Sequence, residues 1–193
     1  MYALNPNWQP REEITRDDLP MDLRGWLLEQ ESLTRRLQQA CNGNFQVHLR
    51  DQRWNSPMDD EACLLSLRPD EQALIRQVYL LCNERPWVYA RTIIPAMTLK
   101  GSRQRLASLG SRPLGDILFG DRNTPRSVVE IAKISPQEKL FSLATQDTLD
   151  PGEFIWGRRS VFTVEGNPLL VVEVFLPEIT PYHETTPYAD RST

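Results

Sequence analysis

Hydrophobic positions along the chain follow two periods. Leu23, Trp26 and Leu27 recur at helical spacing behind Pro20, and Leu33, Leu37 and Cys41 repeat that period behind Ser32, a residue type that caps helices. Two helices joined by a short break are predicted, the second ending at Asn42-Gly43. From Phe45 the period becomes two: Phe45, Val47 and Leu49 alternate with Gln46, His48 and Arg50, as in a half-buried strand. Two β-rich runs then flank the turn-like Asn83 to Pro86, and two more flank Glu165-Gly166-Asn167, which predicts two antiparallel hairpins. "SVVEIAKI" supplies another strand, and Gln104 to Phe119 supplies two short helical pieces, one closing on Gly110 and one opening at Pro113. The polar stretch Ser135 to Glu153 reads as an excursion from the sheet, with one or two helical turns at Lys139 to Ala144. Residues 1–19 and the tail 178–193 are polar and carry no apolar period.

Two strands contain a charge that the pattern does not ask for. In "PLLVVEVFLP" both faces are apolar, yet Glu173 shares a face with Leu169, Val171 and Phe175. In "WVYARTIIP", alternation sets Arg91 beside Trp87, Tyr89 and Ile93. A carboxylate or guanidinium on such a face is costly unless it is paired, and a guanidinium presents a planar fork of donors suited to a carboxylate. Arg91 and Glu173 are therefore either the two poles of one apolar pocket or a structural ion pair with each other, and spacing alone does not separate these readings.

Composition narrows the chemistry. The 193 residues suit one domain, 1–193, and a net charge of −4 spread among interspersed acids and bases favours neither nucleic acid nor an acidic membrane surface. Three widely spaced cysteines, Cys41, Cys63 and Cys82, are read as free thiols in a reducing cytoplasm. The N-terminal residues hold no apolar signal core, and no run of about 18 apolar residues predicts a membrane span. Glycine-rich phosphate loops and a serine nucleophile elbow are absent, and His48 and His183 are too few for a histidine-rich metal site, so no metal and no cofactor is expected.

Several blocks in order, "WLLEQESLTRRL", "LLCNERPWVYARTIIP", "LGSRPLGDILF", "WGRRS" and "NPLLVVEVFLP", resemble the chorismate pyruvate-lyase family from about Trp26 to Pro177. The resemblance implies an α+β fold, a single antiparallel sheet with helices packed on it and a ligand site enclosed beneath helical flaps. It also implies a cofactor-free conversion of chorismate to 4-hydroxybenzoate and pyruvate, the first step of ubiquinone synthesis, in a bacterial cytoplasmic protein expected to be a monomer. By motif, Arg91 would hold the ring carboxylate, Glu173 the ring hydroxyl, and Leu33 and Val129 would present backbone N–H groups. Chorismate is a dianion, and Arg126, Arg158 and Arg159 are the candidates for its second carboxylate. The alternative is a non-catalytic sensing domain of the same fold, as in some bacterial transcription regulators.

Overall fold

The computed structural model of the protein describes residues 5–118 and 124–181. Among them, seven strands form one antiparallel sheet: β1 (Gln9–Pro10), β2 (Phe45–Asn55), β3 (Ala73–Cys82), β4 (Arg85–Pro95), β5 (Glu130–Ile134), β6 (Ile155–Val164) and β7 (Asn167–Phe175). Their spatial order is β1-β5-β6-β7-β4-β3-β2. Five short helices accompany them: α1 (Met21–Leu28), α2 (Leu33–Ala40), α3 (Asp59–Leu64), α4 (Gly115–Leu118) and α5 (Lys139–Thr145), with a 3-10 segment over Gly101–Ser108. The α+β class with a single antiparallel sheet is thus the one the chain adopts.

Both hairpins close where the turn chemistry indicated. Asn83-Glu84 joins β3 to β4 and Glu165-Gly166 joins β6 to β7, each pair at positive φ, the backbone twist that two-residue hairpin loops need. Consequently β7, the doubly apolar strand, lies between β6 and β4 in the middle of the sheet, where both of its faces are covered.

One face of the sheet carries α3 and α5. Tyr79, Tyr89, Ile93, Val172 and Val174 pack there against Met58 and Leu65 around α3 and against Leu140, Phe141 and Ala144 of α5. Within the stretch Ser135 to Glu153, α5 supplies the apolar cover that this face requires, while residues 146–153 run largely exposed outside the sheet. The opposite face carries two separate clusters. Trp26, Leu27, Leu33 and Leu37 of α1 and α2 pack on Val78, Leu80, Val88 and Phe175, while Leu106, Leu109, Leu114 and Leu118 pack on Leu74, Ile94, Leu169 and Val171. A cavity lies between the two clusters and is lined from both.

The N-terminal segment also joins the sheet. Gln9 and Pro10 pair with Ile131 and Glu130, and the Trp8 indole N–H donates to Asp60 at 3.1 Å. Cys41, just past α2, is joined by a disulfide to Cys82 at the end of β3, and Cys63 is free and exposed. This corrects the expectation of three free thiols: a separation of 41 residues hid a pair that the fold brings to a Cα–Cα distance of 5.7 Å. No helix among the described residues is long and apolar enough to cross a membrane.

Candidate active site

Strand register decides which charges meet. Glu173 lies opposite Ala90 on β4 and opposite Arg158 on β6, whereas Arg91 lies opposite Val172. Side chains at paired positions share a face, so Arg91 and Glu173 point to opposite sides of the sheet. They are neither two poles of one pocket nor an ion pair.

Arg91 instead faces α3, where its Nε and Nη2 donate to the two carboxylate oxygens of Glu61 at 2.7 and 3.0 Å. Arg91 and Glu61 side chains keep only 6% and 1% of their surface exposed, so the pair is closed to ligands. Burial alone would loosen the guanidinium proton, but the hydrogen bonds and charge of Glu61 outweigh it and raise the Arg91 pKa. Beside it Tyr89, whose pKa is pushed up by burial, donates to Gln77 at 2.5 Å.

Glu173 opens onto a cavity on the other face, with about 570 Å³ of atom-free space counting its mouth. Arg158 Nε donates to Glu173 Oε2 at 2.6 Å, and Arg158 Nη1 donates to the carbonyls of Trp26 (3.0 Å) and Glu29 (2.5 Å) at the C-terminal end of α1. A cation among those last carbonyls also complements the helix dipole. Arg158 is thereby held on three sides, and Glu173, still 16% exposed, keeps Oε1 for a donor in the cavity.

Arg76 of β3 stands at the other end. It pairs across β4 with Thr92, which pairs with Val171 on β7, so Arg76 and Glu173 share a face about 12 Å apart between Cα positions, two strand spacings and two residues away. Its Nη2 donates to the carbonyls of Gly110 and Arg112 at 2.9 and 3.0 Å, while its Nε is buried without a partner. Among the described residues no carboxylate is paired with it. Desolvation pushes its pKa down to about 10.

Two segments close the cavity. Ser32, Leu33 and Thr34 open α2 and line one side, with Ser32 Oγ accepting from the backbone N–H of Arg35 at 3.4 Å. Pro113, Leu114 and Gly115 line the other. At Gly115 a Cβ would stand 3.0 Å from Ser32 Oγ, so the absent side chain lets α4 approach α2. Val47, Val78, Leu80, Ala90, Leu118, Phe162 and Val171 make the remaining surface largely apolar.

Of the residues expected from sequence, Glu173 and Leu33 thus line the cavity, as do Arg126 and Arg158 among the candidates for the second carboxylate. Arg91 and Val129 do not. Val129 precedes β5, where its carbonyl accepts from the backbone N–H of Arg11 at 2.8 Å, because the N-terminal segment occupies that edge. Arg158 and Arg159 alternate as adjacent strand residues must, yet both are buried: Arg159 lies on the far face against Glu130 and Asp60, each at 2.7 Å, with its guanidinium over Trp8. Arg76 carries the same signal that singled out Arg91, one cation inside the apolar run "ALIRQVYLLC". Leu114 lay within the block "LGSRPLGDILF" but offers no charge to draw attention.

An antiparallel sheet roofed by helical segments over a largely apolar cavity, with Arg76 at one end and Glu173, Arg158 and Arg126 at the other, has the form of a small-molecule site. The family model for chorismate lyase matches residues 3–184, and the chain belongs to that family. Similar curated relatives include a probable chorismate pyruvate-lyase of Methylococcus capsulatus, 43% identical over 81% of this chain and 96% of that protein, and one of Coxiella burnetii, 36% identical over 89% and 92%. Among solved structures, the C-terminal domain of the histidine utilization repressor of Pseudomonas syringae shares the fold, with a TM-score of 0.54 and 11% identity, over 74% of this chain and 99% of that one.

Proposed function

We propose that the protein is a chorismate pyruvate-lyase, converting chorismate to 4-hydroxybenzoate and pyruvate in this cavity. The observation that carries the reading is that Arg76, which has no carboxylate partner among the described residues, and Glu173 line one largely apolar cavity from the same face of the sheet, about 12 Å apart between Cα positions. Arg76 would take the ring carboxylate in place of Arg91, since a bidentate anion supplies what its buried fork lacks. Glu173, held by Arg158, would accept a hydrogen bond from the ring hydroxyl. Leu33 at the first turn of α2 would contribute its backbone N–H. Leu114 would close the cavity from the opposite segment.

The reaction needs few groups. The ether bond at one ring carbon breaks with its electron pair leaving on oxygen, and the neighbouring carbon, which bears the hydroxyl, loses its hydrogen as a proton. Tautomerisation of the released enol places a proton on its methylene carbon, giving pyruvate and an aromatic ring. Aromatisation drives the step, so the protein's part is to hold the substrate in a reactive geometry and exclude water. Glu173 would either accept that proton as a base or orient the hydroxyl.

This reading extends to a place in ubiquinone synthesis, a bacterial cytoplasmic setting, a monomeric state and a single functional domain across residues 1–193. Incubation of the purified protein with chorismate tests it, with the expectation of 4-hydroxybenzoate and pyruvate in equal amounts. A folded protein that leaves chorismate at its buffer rate overturns it.

A further inference from the structure

Chorismate carries a second carboxylate on its enolpyruvyl ether, and that ether leaves the carbon next to the one bearing the hydroxyl. With Arg76 on the ring carboxylate and Glu173 on the hydroxyl, the second carboxylate must lie toward the Glu173 end. Two of the three arginines named from sequence are already committed: Arg158 to Glu173, and Arg159 to Glu130 and Asp60 on the far face. Arg126 is not.

Arg126 precedes β5 and forms an isolated bridge with Phe162 of β6. Its Nε donates to Ser160 Oγ at 2.8 Å, its Nη1 donates to the Gln30 carbonyl at 3.1 Å, and its guanidinium lies 5.2 Å from the centre of the Phe162 ring. Ser160 pairs with Val171, the next residue along β7 that shares Glu173's face, so this anchor stands about 8 Å from Glu173 between Cα positions, one strand spacing and two residues away. Among the described residues no carboxylate is paired with Arg126, although it lines the same cavity. Desolvation, and the nearby positive charge of Arg158, push its pKa down to about 10.

We propose, resting on the lyase reading, that Arg126 receives the enolpyruvyl carboxylate and so distinguishes the dianionic substrate from the monoanionic aromatic product. Two unmatched guanidiniums meet two carboxylates, and cleavage removes one of those carboxylates with pyruvate. The ring product then keeps its contacts with Arg76 and Glu173 and has none with Arg126. The same site places a positive charge beside the ether whose oxygen gains electron density as it leaves.

The test compares wild type with R126M, R126Q and R126K, measuring KM for chorismate by turnover and Kd for 4-hydroxybenzoate by calorimetry. R126M is expected to raise KM roughly 10- to 100-fold, the range for losing a charged hydrogen-bonded contact, while Kd for the product changes less than about threefold. R126K should recover part of the loss. R126Q retains a donor for Ser160 and carries the comparison if R126M does not fold. An unchanged KM in active variants, or equal weakening of substrate and product, overturns the assignment of Arg126 alone. A wild type inert toward chorismate overturns the underlying reading with it.

Discussion

Arg76 and Arg91 have the same chemistry and similar burial, and their partners divide their roles. Arg91 has a complete carboxylate partner in Glu61, so removing that partner should leave a buried charge unpaired. We expect Glu61→Gln to lower stability by about 3–5 kcal/mol in urea unfolding, with Arg91→Met/Glu61→Gln recovering much of it. Neither change should move the product Kd of the folded protein by more than a few fold. Arg76 has only two carbonyls, and Arg76→Met should weaken 4-hydroxybenzoate binding by about 2–3 kcal/mol, read by calorimetry. Its pH dependence follows from burial. Because the folded-state pKa is lowered to about 10, the charged form opposes folding at neutral pH, and that opposition fades as pH rises through 10 toward the ordinary 12.5. A bound carboxylate favours the charged guanidinium further, so product affinity should be level from about pH 6 to 8, where Arg76 stays protonated with or without ligand; a change across that range, read by calorimetry, would contradict the role of Arg76.

Helices α2 and α4 meet over the cavity because Gly115 leaves room for Ser32. Gly115→Ala should hold them a few tenths of an ångström apart, weakening product binding and speeding its release in stopped-flow measurements, with little loss of sheet stability. The Cys41–Cys82 bridge ties the end of α2 to β3. Closing a 41-residue separation is worth about 2–4 kcal/mol through the unfolded chain, so reduction or Cys82→Ala should lower the urea midpoint by that equivalent. Elements with a clear period were legible in advance: α1, α2 and both hairpins lie where spacing and turn residues put them. The turns expected at Lys139 to Ala144 likewise form α5, whereas α3 is one acidic and one apolar turn, too short to show a period. Glu61 sits on that unread helix, and for this reason Arg91 looked as if it lacked a structural partner.

At the scale of the molecule, a single sheet covered on both faces separates stability from binding. The α3–α5 side is closed by apolar packing and the Arg91–Glu61 pair, while the α1–α2–α4 side keeps two clusters with a charged slot between them. Strand alternation told which residues of one strand share a face, and so it grouped Glu173 with Val171 correctly. It could not tell which face of one strand continues into which face of another, since that depends on pairing register between distant segments. A charge buried in a strand was therefore visible from sequence, but whether its partner was a ligand or Glu61 was not. The bulge between Leu80 and Leu81 likewise moved Trp87 away from Arg91's face and into the α1–α2 cluster. The measurement that separates the two faces most directly is chorismate turnover by wild type, Arg76→Met and Arg91→Met side by side, each with its folded fraction determined. Equal yields of 4-hydroxybenzoate and pyruvate from wild type and from folded Arg91→Met, with kcat/KM reduced at least about 100-fold in Arg76→Met, are the expected result. Loss of turnover in folded Arg91→Met with Arg76→Met active would contradict the placement of the site.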